Sequence, residues 1–212
     1  MSSSFSPLGD GARRVRALHR IAAQFAETAP RPTFASSLII TGADRGFDPM
    51  TAIEAAPRGA AILIRDYDRA DRRAFAAGVA DAARRAGLHV LVARDARLAA
   101  DIGACGVHLP EALSSQAPPL KRRGLIVSIA AHSPAALRRA AAMGADAALL
   151  SPVFVTQSHP EAEGLGVLRA AACAARTGAP VFALGGIDHR YARRLIGTGF
   201  AGVAAISGFH PH

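Results

Sequence analysis

Val181-Phe182-Ala183-Leu184-Gly185-Gly186-Ile187 and, after a polar helical stretch at 189–198, Gly202-Val203-Ala204-Ala205-Ile206-Ser207-Gly208 are the segments that decide the reading of this chain. Each is a short, almost continuously apolar run that ends in glycine. A strand loses its polar face when helices cover both sides of its sheet, as in parallel α/β folds. The strands of the two segments are read as Val181–Leu184 and Gly202–Ile206, and working outward the same unit recurs at Leu38–Thr41, Ala60–Arg65, His89–Ala93, Gly106–Leu109, Leu125–Ala130 and Ala147–Ser151. Helical stretches fall at 69–86, 94–102, 134–143 and 166–177, with shorter pieces near 50–56 and 111–116. Eight strand–helix units in sequence predict a closed (β/α)8 barrel. The competitor is an open, doubly wound sheet. It often carries a Gly-rich fingerprint after its first strand, and Thr41-Gly42-Ala43-Asp44-Arg45 is no such motif.

The chain has 212 residues, enough for one small barrel. Half are hydrophobic, yet aromatics make up 5% and Trp is absent, so Ala and Val must do most of the packing. The expected organisation is an N-terminal helical extension over 1–30 and a barrel domain over 31–212. In the extension, residues 12–26 place Val15, Leu18, Ile21, Ala22 and Phe25 on one side. A transit peptide has a similar Arg-rich, amphipathic look, but a packed helix is the plainer reading. Little sequence follows the eighth strand, so the eighth helix is expected to be short or absent. The N-terminal helix is expected to cover the surface left bare.

The formal charge of +9 suggests a nucleic-acid partner at first sight. Of the 25 basic residues, 24 are Arg, spread along helices in pairs such as Arg72–Arg73, Arg84–Arg85, Arg138–Arg139 and Arg193–Arg194. No basic run is interleaved with aromatics on which bases would stack, so no nucleic-acid partner is expected. Solvated helix faces account for most of this charge, and attraction of anionic substrates for the rest. No apolar run reaches the roughly 18 residues of a membrane span, so no membrane partner is expected either. Cys105 and Cys173 lie far apart without metal spacing. Reduced thiols and a cytoplasmic location follow as expectations.

Barrel active sites lie at the C-terminal ends of the strands. Gly185-Gly186 would let backbone N–H groups approach an anion closely, and Ser207-Gly208 would sit beside it. Barrels often bind phosphate between these last two loops. A tight turn without a ligand is the alternative. The loop after strand 6 offers Thr156, Ser158 and His159 as oxyanion or substrate ligands, or as a polar surface loop. His132 precedes Ser133-Pro134, a good helix start. It is either a general acid/base or a histidine that supports its neighbours. His108, inside an apolar strand, reads as structural. Lys121 is the single lysine and lies in a Pro- and Arg-rich connection, which removes Schiff-base aldolase chemistry. No His/Asp/Glu cluster marks a tight metal site.

Five segments carry a specific resemblance: Gly106-Val107-His108-Leu109, residues 151–160 (Ser151-Pro152-Val153-Phe154-Val155-Thr156-Gln157-Ser158-His159-Pro160), Leu165-Gly166, Ala183–Ile187 and Gly202–Gly208. In this order, over roughly 36–208, they resemble the thiamine phosphate synthase/TenI family. The resemblance implies a barrel that binds a thiazole phosphate, with homo-oligomers possible. The synthase joins the thiazole to a pyrimidine pyrophosphate with Mg²⁺. The TenI-type tautomerase only isomerises the thiazole carboxylate phosphate and implies no cofactor.

The match is uneven. Arg65 and Asp66 keep two residues of the synthase's Arg-Glu-Lys pattern, but Tyr67 replaces the lysine. Ala93-Arg94 stand where the synthase has Asn-Asp, with Asp95 one residue late. Pro110-Glu111-Ala112-Leu113 replace Gly-Gln-Glu-Asp, Ala130 replaces a serine, and His159 replaces a lysine. Thr156 and Ser158 match. The losses fall on the pyrophosphate and metal half, where cations and donors would stabilise the departing charge. The preferred expectation is therefore a TenI-like tautomerase with His132 as acid/base and Gly185, Gly186, Ser207 and Gly208 on the phosphate. The alternatives are a divergent synthase, with Arg65, Asp95, Glu111, Thr156, Ser158 and His159 rebuilding the pyrophosphate site, Mg²⁺ as cofactor and Asp95 as its carboxylate if the register shifts by one residue, and a barrel that binds without turnover.

Overall fold

The computed structural model describes residues 8–30, 33–42, 48–156 and 163–210. Eight parallel strands close into a barrel in chain order: β1 Ser37–Ile40, β2 Ala61–Ile64, β3 His89–Ala93, β4 Gly106–Leu109, β5 Ile126–Ala131, β6 Ala147–Leu150, β7 Val181–Ala183 and β8 Gly202–Ala205. The register Ser37↔Val203 between β1 and β8 makes the closure. Every predicted strand is present, within a residue or so at each end. The helices are α1 Leu8–Thr28, α2 Pro49–Ala55, α3 Arg72–Ala86, α4 Ala96–Asp101, α5 Ala117–Arg122, α6 Pro134–Ala142, α7 Gly166–Ala175 and α8 His189–Arg193.

Alternation sorts the strand residues into two cores. Leu38, Ile40, Ala61, Leu63, Leu91, Ala93, Ala147, Leu149, Phe182 and Ala204 fill the barrel. Ile39, Ile62, Ile64, Val90, Val92, Val107, Leu109, Val127 and Val203 face outward and are buried under the helices. This two-sided burial is why the strands read as continuous apolar runs. Phe34 stacks on Phe182 at 5.9 Å and meets His89 edge-on at 6.2 Å, which plugs the end of the barrel where the strands begin.

The helix borders differ from expectation for local reasons. The helix expected at 94–102 starts at Ala96, because Arg94 takes a left-handed φ of 64° and the Asp95 carboxylate caps Leu98 N at 2.8 Å. The connection around Lys121 is helical: Pro118 falls at the start of α5, where a missing N–H costs nothing. Lys121 itself pairs with Asp146, whose carboxylate also accepts from Val127 N at 2.7 Å.

α1 lies in the gap of the helical ring, packed on α8, α2, β8, β1 and a short 3-10 turn at Ser207–Phe209. Val15, Leu18, Ile21, Ala22 and Phe25 are all buried. α1 thus covers the outer side of β8 and β1, and among the described residues the element after β8 is that turn. No helix among the described residues is long and apolar enough to cross a membrane.

Candidate functional site

The strand ends assemble one continuous arc of contacts from β4 to β8. It starts at Glu111, on the 3-10 turn Glu111–Gln116 that follows β4. Its carboxylate accepts from His132 N at 3.3 Å and pairs with Arg139 of α6. His132 follows β5 directly, and Ser133 caps α6 by accepting from Ala136 N at 3.1 Å. The His132 Nδ1 lies 3.0 Å from the Ser151 carbonyl oxygen and 3.3 Å from Ser151 Oγ, at the end of β6. A carbonyl can only accept, so this contact places a proton on Nδ1. Nε2 is then the basic nitrogen of an exposed imidazole.

The arc continues through glycines. Gly185 and Gly186 have φ of 97° and 63°, conformations that favour glycine. A Cβ on Gly186 would come within 2.6 Å of the Val155 carbonyl oxygen, so the loops after β6 and β7 are in contact. A Cβ on Gly208 would collide with the Ile187 carbonyl oxygen, so the loops after β7 and β8 are in contact too. Ser207 is exposed beside them. Gly185 accepts from Phe154 N at 3.1 Å. Among the described residues, neither Gly185 nor Gly186 donates its N–H to another loop carbonyl. Thr156 is half-buried at the edge of the arc. Ser158 and His159 lie outside the described residues.

Across the mouth, Arg65 continues β2 and its backbone N–H donates to Thr41 Oγ1 at 3.0 Å. The Thr41 hydroxyl in turn donates to the buried Asp66 carboxylate. Sequence reasoning passed over Tyr67, exposed at the rim with two guanidiniums near its ring: Arg94 at 5.4 Å and Arg72 at 5.7 Å from the ring centre. Burial raises the Tyr67 hydroxyl pKa, against the lowering effect of Arg65, Arg94 and Arg72. The substitution of the lysine was visible in the sequence; the convergence of arginines from three elements was not.

His108 faces the barrel interior, with Nδ1 2.9 Å from Ser128 Oγ. Burial first, and the nearby Arg65 charge second, push its pKa down to about 4. A neutral ring paired with a buried hydroxyl fits the structural role expected of it.

The carboxylates at the positions of interest are engaged. Asp95 caps α4 and pairs with Arg72 at 3.1 Å; Glu111 pairs with Arg139. Among the described residues, no three His, Cys, Asp or Glu side chains gather as a metal site. These residues do not fit a Mg²⁺ ion.

Comparison with known proteins bears on family and fold. The sequence model of the thiamine monophosphate synthase family matches residues 37–209. The chain is 38% identical over 115 residues to a putative thiamine-phosphate synthase 2 of Aquifex aeolicus; the match takes in 53% of this chain and 61% of that protein. It is 32% identical over 171 residues to a thiamine-phosphate synthase of Methanoculleus marisnigri, covering 78% of this chain and 81% of the relative. In fold it is similar to a thiamine phosphate pyrophosphorylase from Pyrococcus furiosus, with a TM-score of 0.68 at 24% identity over 82% of this chain and 87% of that one. The chain belongs to the thiamine monophosphate synthase family.

Proposed function

We propose that this barrel binds a thiazole phosphate, with the phosphate held by the backbone of Gly185, Gly186, Ser207 and Gly208. The glycines let the loops after β6, β7 and β8 pack against one another, and the N–H groups of Gly185 and Gly186, which donate to no loop carbonyl among the described residues, are available to an anion. Barrels of this architecture often bind phosphate there. Replacing Gly208 by alanine drives a methyl group into the Ile187 carbonyl and forces the two loops apart. Thiazole phosphate should then bind at least about tenfold more weakly by calorimetric titration, an effect the size of one good charge-assisted hydrogen bond. Unchanged affinity removes the cradle from this place.

The placement of His132 supports isomerisation of thiazole carboxylate phosphate, while the relatives are named for the joining reaction and back that reading better. The carrying observation is the Nδ1 contact to the Ser151 carbonyl, which fixes the tautomer and leaves Nε2 free to take a proton from the ring and return it elsewhere. General acid–base groups contribute roughly 10²–10⁴ in rate. His132→Ala should therefore lower the isomerisation rate by about 100-fold or more with little change in thiazole phosphate affinity. Equal rates for variant and wild type remove His132 from the mechanism.

The second reading is the joining reaction of a divergent synthase. It is favoured by the names of the relatives and by the arginines around Tyr67, which would face a pyrophosphate. The pairing of Asp95 and Glu111 with arginines stands against the Mg²⁺ this reaction implies. Parallel assays of isomerisation and thiamine phosphate formation, with and without Mg²⁺, separate the two readings. Binding with neither reaction supports a non-catalytic barrel.

A further inference from the structure

The most unusual polar residue outside the mouth is His19, on the buried face of α1. It is 5% exposed, and its Nε2 has no hydrogen-bond partner. A leucine or phenylalanine would fill this place without a buried orphan nitrogen. What the imidazole adds is the contact of Nδ1 with Ser37 Oγ at 3.1 Å. Ser37 is the first residue of β1, 2% exposed, and opposite Val203 in the β1–β8 register.

The face of the same ring stacks on Phe209, with centroids 4.5 Å apart and planes at 28°. Phe209 is fully buried and ends the turn that carries Ser207 and Gly208. Its N–H closes that turn on the Ile206 carbonyl at 3.3 Å. The hydroxyl of Ser37 fixes the plane of the His19 ring, the ring fixes Phe209, and Phe209 fixes the turn against Ile187 of the neighbouring loop.

Resting on the phosphate-cradle reading, we infer that His19 is a positioning residue for phosphate binding: through Ser37 and Phe209 it sets the Ser207–Gly208 half of the cradle from beneath. The helix that completes the ring thus reaches the site without touching the ligand.

The test titrates thiazole phosphate into wild type, His19→Phe, Ser37→Ala, the double variant and Gly208→Ala. Ser37→Ala leaves the ring in place and removes its lock, so it carries the test even if His19→Phe does not fold. The expected result is about fivefold weaker binding in each folded single variant, with melting temperatures close to wild type. The double variant should bind no more weakly than the weaker single, since both changes break one linkage. The ring signals of His19 should also move on saturation of wild type with thiazole phosphate. Wild-type affinity in folded His19→Phe or Ser37→Ala, with Gly208→Ala still weakened, overturns the inference alone. Absence of binding by wild type, or an unaffected Gly208→Ala, overturns the cradle and the inference with it.

Discussion

Removing residues 1–30 is expected to leave no stably folded barrel. The truncated chain should be insoluble, or lack a cooperative thermal transition by circular dichroism. α1 buries Val15, Leu18, Ile21, Ala22 and Phe25 against the barrel. Burial of one Val, Leu, Ile or Phe side chain is worth about 1.5–3 kcal/mol, so the four large ones together supply on the order of 8 kcal/mol. That is comparable to the whole stability of an ordinary domain, about 5–15 kcal/mol. The loss is felt twice, because the outer faces of β8 and β1 and the flank of α8 become exposed as well. A sharp transition within a few degrees of the full chain would show that the barrel stands without the helix. The milder change Phe25→Ala should cost about 3–5 kcal/mol by urea unfolding, as other large-to-small changes in cores do.

Acidification should destabilise the protein well before its carboxylates titrate. Burial pushes the His19 pKa down to about 4, and burial together with Arg65 does the same for His108, from an ordinary value of 6.5. In the unfolded chain both rings take up a proton as pH falls through 6.5; in the folded chain they stay neutral until about pH 4. Between these limits the unfolded state holds more protons, so stability falls as pH falls. Above pH 6.5 the contribution is fully present. The total loss by pH 4 is on the order of 3 kcal/mol per histidine. Urea midpoints measured from pH 7.5 to 4.5 should drop with a slope approaching two protons, and His108→Gln should reduce that slope to about one. A flat profile down to pH 5 contradicts the neutral burial of both rings. Carboxylates held low by local bonds, such as Asp48 by the Thr51 hydroxyl, act only below this window.

The barrel was legible because its cause is local. Two-sided burial writes each strand as an apolar run, and the one-sided burial of α1 writes a stripe of apolar residues at helical spacing. The N-cap role of Ser133 was equally legible, since a cap acts within three residues. What stayed hidden is carried by contacts between distant positions. The pairing of Asp95 with Arg72, and of Glu111 with Arg139, joins residues far apart in the chain and had no cue in the sequence. The Ser151 carbonyl that orients His132 is a backbone atom, so no residue type announces it. His19 had no cue in the sequence, because its stacking on Phe209 joins opposite ends of the described chain. The left-handed Arg94 also escaped notice, because arginine gives no cue for such a conformation.

The seat of α1 between α8 and α2 has a consequence for the order of events during synthesis. α1 can meet β1 and α2 as soon as these are made, but its contacts with α8, β8 and the turn at Ser207–Phe209 wait for the far end of the barrel. Until then part of its apolar stripe stays open to chaperones and to other chains. Contacts of such long sequence separation form late and slow the final step. Closure of the sheet, seating of the helix and completion of the loops after β7 and β8 therefore become a single event at the end of folding, and the proposed phosphate site forms in the same moment that the chain hides its most adhesive surface.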